Sequence, residues 1–73
     1  MLSTLESLLN LIRERKKNTV DGSYTNKLLN DKTLSKAKVL EEVDELIEAV
    51  ENDTNKIHEA ADVLYHLVVY LEA

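Results

Sequence analysis

Apolar residues recur along this chain every three or four positions, and nowhere do β-branched residues alternate with polar ones as a strand requires. Leu5, Leu8, Leu9 and Ile12 form one such stripe and predict a first helix over about residues 4–17. Ser3 and Glu6 fit a capping box there, in which each side chain satisfies the other residue's backbone N–H. The segment Asn18 to Ser23, with Asp21-Gly22, predicts a turn, and a short helix carrying Leu28 and Leu29 is expected from Tyr24 to Asn30. Thr33 is the expected N-cap of a long helix over about 34–51, whose apolar positions Leu40, Val43, Ile47 and Val50 are three and four apart. Asn52-Asp53-Thr54-Asn55 ends it, with Asp53 or Thr54 expected to cap a last helix over about 55–72. The fold class is all-α: two short N-terminal helices followed by an antiparallel helical hairpin.

The acids of the two long helices fall into two sets. At about 100° per residue with Leu40 at zero, positions 39, 40, 43, 46, 47 and 50 fill an apolar arc from about 240° to 360°, the expected core face. Glu42 falls near 200° and Glu45 near 140°, bordering that arc with the small Ala49 between them, whereas Glu41, Asp44, Glu48 and Glu51 lie between about 20° and 100° as a solvated face. The last helix repeats the arrangement: with Ile57 at zero, Glu59 falls near 200°, Asp62 near 140° and His66 near 180°. Ile57, Ala60, Leu64, Leu67, Val68 and Leu71 form its apolar arc.

Two helices that each present carboxylates at i, i+3 can face their pairs across a hairpin. Four carboxylates in one pocket repel unless a hard cation neutralises them, and an oxygen-only ligand set favours Mg²⁺ or Mn²⁺ over zinc. Glu42, Glu45, Glu59 and Asp62 are therefore the candidate metal ligands, against the plainer reading of an acidic structural stripe. His66 reads as a satisfied core residue that orients Asp62 or Glu59, and His58 as exposed and without a role.

Composition sets the bounds. The 73 residues make one small domain, near the lower limit for a self-sufficient core. With no Cys, thiolate sites and disulfides are excluded and a reducing cytoplasm is the expected compartment; no signal peptide or membrane span is read. The net charge of −5 divides unevenly, about +4 over residues 1–38 and about −9 over residues 39–73. The acidic half repels nucleic-acid phosphates, and the basic half can supply phosphate-binding charge.

Arg15, then Gly22-Ser23-Tyr24-Thr25, then Lys38-x-x-Glu41-Glu42-x-x-Glu45, then Glu59-Ala60-Ala61-Asp62-x-x-Tyr65-His66 resembles the phosphoribosyl-ATP pyrophosphohydrolase family of MazG-type nucleotide pyrophosphohydrolases. The paired acidic motifs are shared across that superfamily, while the Ser-Tyr-Thr and Tyr-His segments point to the histidine-biosynthesis branch. The resemblance implies Mg²⁺ held by Glu42, Glu45, Glu59 and Asp62, with Glu41 beside the ion or as the water-activating base. It also implies contacts from Arg15, Tyr24, Thr25 and Lys38 to substrate phosphates or ribose, where the plainer readings are surface charge and a helix cap at Ser23 or Thr25. Leu40 and Asp31-Lys32 stand where many members have Gly, and members usually continue with a further helical segment beyond the Tyr-His helix.

The implied reaction is hydrolysis of phosphoribosyl-ATP to phosphoribosyl-AMP and pyrophosphate. The alternatives are a MazG-type enzyme acting on free or non-canonical nucleoside triphosphates, and a non-catalytic helical dimerisation module. Val63, Val69 and Tyr70 form a further apolar surface, which predicts a homodimer packed as a helical bundle with the substrate pocket near the interface.

Overall fold

The computed structural model describes the backbone of residues 2–73 and the side chains of residues 3–73. Four helices follow in order: α1 (Leu2–Lys17), α2 (Tyr24–Leu29), α3 (Lys32–Asn52) and α4 (Lys56–Glu72). Among the described residues there is no strand.

The helix ends depart from expectation in ways that local chemistry explains. Ser3 lies inside α1 and so is not its N-cap. α3 is capped by Asp31, whose side chain accepts a hydrogen bond from the Leu34 N–H at 3.0 Å, and not by Thr33. Asp31 is the nearer short oxygen-bearing residue with non-helical backbone, and Lys32 and Thr33 are both tolerated in a first turn. Asp53 ends α3 instead of starting α4: it takes the left-handed conformation (φ 54°), and the Thr54 N–H donates back to the Ala49 carbonyl at 2.9 Å. Asn55 then opens α4, also left-handed (φ 43°), without a side-chain cap. Asp and Asn tolerate that region because their short polar side chains relieve it locally. Ser23 caps α2, accepting from the Asn26 N–H at 3.3 Å.

The apolar core gathers where α1 and α2 meet α4, with Ile12, Leu28, Leu29 and Val69 buried and Leu8, Leu34, Tyr65 and Val68 packed around them. Buried Asn26 ties this corner together. Its side-chain amide donates to the Arg15 carbonyl, and its side-chain carbonyl accepts from the Val20 N–H, both at 2.9 Å. At the far end Arg13 Nε donates to Glu72 Oε1 at 2.6 Å, and Lys16 Nζ to the Glu72 backbone carbonyl at the same distance.

The hairpin is turned differently from the expected packing. The buried residues of α3 are Ser35, Glu42 and Ala49, seven apart, and those of α4 are Val63, His66 and Val69. A seven-residue spacing keeps one seam facing a neighbouring helix, and small residues at 35 and 49 let the backbones approach. Much of the expected core arc is left outside: Leu40 is 60% exposed, Ile57 84% and Leu71 78%, while Val39, Val43, Leu46, Ala60 and Val68 are half-buried. Val63 and Val69, read as outward-facing, are inside the chain, so they cannot form the partner surface assigned to them, and Tyr70 is only half-buried. Apolarity alone ranked the faces wrongly because α1 and α2 cover the Val69 side of α4, while the arc's Leu64, Leu67, Val68 and Leu71 meet Leu5 and Leu9 of α1 along an open apolar groove.

On each helix the apolar arc lies about 100–140° beyond the buried seam in the direction of the chain, and in an antiparallel pair that sends both arcs to one side of the hairpin. Glu45, Glu41, Lys38 and Asp62 turn the other way, towards the side that α2 approaches. Replacing Asn26 by Ala leaves a carbonyl and an N–H unpaired, and urea unfolding is expected to show a loss of about 2 kcal/mol. A loss under about 0.5 kcal/mol would mean that water replaces both bonds.

Candidate metal and nucleotide site

The hairpin seam carries charge at its centre. Glu42 is 7% exposed on α3, and its Oε2 has no hydrogen-bond partner; Glu59 Oε2, facing it from α4, is buried and equally unpartnered. Glu42, Glu45 and Glu59 each bring a carboxylate oxygen to within 4.8 Å of the others. A second trio, His58, Glu59 and Asp62, meets the same limit. Glu59 belongs to both, so the four expected ligands are joined through it, while Asp62 stands outside the tight Glu42–Glu45–Glu59 group. Exposed His58, given no role from the sequence, has its Nε2 at 3.4 Å from Asp62 Oδ2.

Burial pushes the Glu42 carboxyl above the ordinary carboxylate value. The neighbouring Glu45 carboxyl adds to this and Asp62 a little more, with His66 opposing. An unpaired carboxylate in such a place is costly unless it is protonated or meets a cation. The nearby ammonium is already engaged: Lys38 Nζ donates to Glu41 Oε2 at 3.0 Å, a bond that holds the Lys38 pKa up. The two orphaned, buried oxygens and an all-carboxylate donor set fit a hard divalent cation. A cavity of about 210 Å³ opens beside the cluster at the α3–α4 turn, lined by Glu45, Glu48, Ala49, Thr54 and Glu59 among others.

The residues expected to touch substrate are brought together in part. Tyr24, at the start of α2, is 45% exposed, and its hydroxyl lies 3.1 Å from His66 Nε2. Partial burial raises its pKa, with Lys38 pulling the other way, so phenol and ammonium share one neighbourhood with Glu41 and Glu42. The Thr25 hydroxyl is hydrogen-bonded to the Tyr65 hydroxyl. Glu41 is exposed, belongs to neither carboxylate trio and is paired to Lys38, so these two meet each other in the free protein. Arg15 is half-buried and fixed by its backbone carbonyl, and among the described residues its guanidinium has no hydrogen bond or ion pair.

His66 is the residue whose part the sequence understated. It is buried and satisfied, as expected, but its partners are the Asp62 backbone carbonyl and Tyr24 rather than a carboxylate. Its angle between Glu59 and Asp62 on the helical wheel was a usable signal. Asn26 gave none, and Tyr65 entered only as part of the Tyr-His resemblance, since their partners come from distant parts of the chain.

The family model "Phosphoribosyl-ATP pyrophosphohydrolase" matches residues 5–73. Over 72 residues the chain is 44% identical to a phosphoribosyl-ATP pyrophosphatase of Clostridium acetobutylicum, covering 92% of this chain and 64% of that protein. Its identity to the protein of that name in Bacillus cytotoxicus is 42% over 78 residues, covering all of this chain and 71% of the relative. With the Halobacterium salinarum protein it is 38% over 77 residues, covering 97% and 81%. The chain thus spans about two thirds of the length of several curated relatives that it matches. No solved structure matches it. With its acidic motifs, Tyr24-Thr25 and Tyr65-His66 folded into one region, the chain belongs to the phosphoribosyl-ATP pyrophosphohydrolase family.

Proposed function

We propose that this protein hydrolyses the α–β phosphoanhydride of phosphoribosyl-ATP, releasing phosphoribosyl-AMP and pyrophosphate, with Mg²⁺ or Mn²⁺ as cofactor. The observation that carries the chemistry is the pair of buried, unpartnered oxygens of Glu42 and Glu59 within the carboxylate cluster. The substrate rests on family membership. A MazG-type activity on other nucleoside triphosphates would use the same carboxylates and is the outcome that the substrate assay distinguishes.

Glu42, Glu45, Glu59 and Asp62 would hold the cation, which when bound neutralises charge on the phosphate oxygens and lowers the pKa of bound water. In the reaction a water oxygen forms a new P–O bond, the bridging α–β bond breaks, pyrophosphate departs, and the water's protons pass through a carboxylate to solvent. Glu41 is the proposed acceptor. Its exposed carboxylate is held by Lys38 in the free protein, and a phosphate that draws Lys38 to itself frees Glu41 to take a proton. Arg15, Tyr24 and Thr25 would meet the remaining phosphates or the ribose. The bare apolar arcs of α3 and α4, carrying Leu40, Ile47, Val50, Ile57, Leu64 and Leu71, support a homodimer of packed hairpins. They replace Val63 and Val69 as its surface. No helix among the described residues is long and apolar enough to cross a membrane, and a cytoplasmic location belongs to the same proposal.

Millimolar Mg²⁺ or Mn²⁺ is expected to raise the Tm of the wild type. Glu42→Gln should raise the metal-free Tm and lose that response, because the amide removes a buried charge. A wild-type Tm that ignores both ions overturns the metal site. With phosphoribosyl-ATP and common dNTPs compared by pyrophosphate release, phosphoribosyl-ATP should be preferred, and Glu45→Gln should lower kcat/KM by on the order of 10²-fold or more. Turnover of dNTPs alone would move the assignment to the broader superfamily activity. Sedimentation should give a dimer for the wild type and a monomer for Ile47→Glu, whereas a monomeric wild type removes the proposed interface.

A further inference from the structure

The site holds one group whose chemistry is fixed by its surroundings and which the proposed reaction does not use. His66 is 6% exposed, and its ring is engaged on both nitrogens. Nδ1 lies 2.8 Å from the carbonyl oxygen of Asp62, one helical turn earlier. A carbonyl can only accept, so Nδ1 carries the hydrogen. In the neutral ring Nε2 is then the lone-pair nitrogen, and the Tyr24 hydroxyl, 3.1 Å away, donates to it. The ring also stands edge-on to the Tyr24 ring, with centroids 6.0 Å apart, and to the Tyr65 ring at 5.0 Å. Beside this bond the Thr25 hydroxyl meets the Tyr65 hydroxyl, so two consecutive residues of α2 are fastened to two consecutive residues of α4.

α2 has only six residues, too few to hold a helix without outside support, so what it is fastened to decides where its first residues sit. We propose that His66 is a positioning residue: its fixed tautomer makes the Tyr24 hydroxyl a donor into the protein, holding the phenol over the carboxylate site with its oxygen lone pairs left for substrate or water. The same helical turn that would supply Asp62 to the cation thus aims, through the Asp62 carbonyl and His66, the residue arriving from α2. The kinetic consequence rests on the proposed role of Tyr24 in binding substrate; the bond and the tautomer do not.

Long-range ¹H–¹⁵N NMR of the free protein, at a pH high enough that the imidazole is neutral, should show His66 with a protonated Nδ1 and a bare Nε2. Tyr24→Phe should shift the Nε2 signal while leaving Nδ1 protonated. With phosphoribosyl-ATP, Tyr24→Phe and His66→Phe should each lower kcat/KM by about tenfold, and the double variant should be no worse than either. His66→Gln, whose side-chain carbonyl can accept from Tyr24, should recover most of the loss. All four variants should keep the Mg²⁺-dependent rise in Tm. A neutral ring protonated on Nε2 instead of Nδ1, losses that multiply in the double variant, or a His66→Gln as poor as His66→Phe would each overturn the proposal. If phosphoribosyl-ATP is not a substrate but a dNTP is, the cycle is read on the dNTP. If neither is turned over, the ring-nitrogen signals decide alone, so failure of the substrate assignment is told apart from failure of this one.

Discussion

The helical hairpin closes on charge. Most antiparallel helix pairs meet along apolar side chains, but here the centre of the seam is Glu42, with the Glu59 carboxylate opposite and Glu45 beside it. Such a contact holds together only if something compensates the repulsion, because two of its oxygens have lost water without gaining a partner. Much else in the chain follows from that constraint. Ser35 and Ala49, one heptad to either side of Glu42, are small enough to let the helices approach around it. The left-handed pair Asp53 and Asn55 reverses the chain so that Glu59 returns to face it.

The N-terminal half answers to the same centre. α1 and α2 bury Ile12, Leu28 and Leu29 against Val69 and so fix α4 along the Tyr65–Val69 side. Asn26 locks the loop between them by bonding both Arg15 and Val20. The result is that basic and hydroxyl-bearing residues of residues 1–38 arrive beside an acidic cluster built by residues 39–73. Lys38 illustrates the balance: it lies on the same helix as the acids, and in the free protein its charge is spent on Glu41. On the proposed function, a polyphosphate would bring its own negative charge to this place, and the proposed cation together with the Lys38 ammonium would balance it.

The two apolar arcs are the counterpart of this choice. Because the seam is given to carboxylates, Leu40, Ile47, Val50, Ile57 and Leu71 are left in water on the other side of the hairpin. A chain of 73 residues has few apolar groups to spare, and leaving these unburied costs much of the stabilisation that its small core supplies. The folded unit is therefore one-sided, with the charged and hydroxyl-bearing cluster on the face towards α2 and exposed hydrophobic surface on the other.

Periodicity was enough to give the number, order and extent of the helices, since helical spacing in Leu5-Leu8-Leu9-Ile12 or Leu40-Val43-Ile47-Val50 depends only on local geometry. The wheel also separated Glu42 from the solvated acids of the same helix, a distinction set by angle alone, whereas Glu45, placed with it at the core border, is exposed and joins the cluster only through its carboxylate oxygen. Which side of each helix faces inward was not local information. The apolar arc was the natural choice for the seam, and tertiary structure reversed it, because α1 and α2 take one side of α4 and the small residues at 35 and 49 allow close approach on the carboxylate stripe. The cap of α3 moved to Asp31 for a smaller reason of the same kind, the sequence offering two acceptable oxygens where the backbone path uses one. The partnerships of Tyr24 with His66 and of Thr25 with Tyr65 span some forty positions, so no spacing rule relates their members. The sequence by itself determined the helices and the acids on them; only the packing of helix on helix decided that Glu42 and the inner oxygen of Glu59, and not Leu40, Ile57 or Leu71, lie between them.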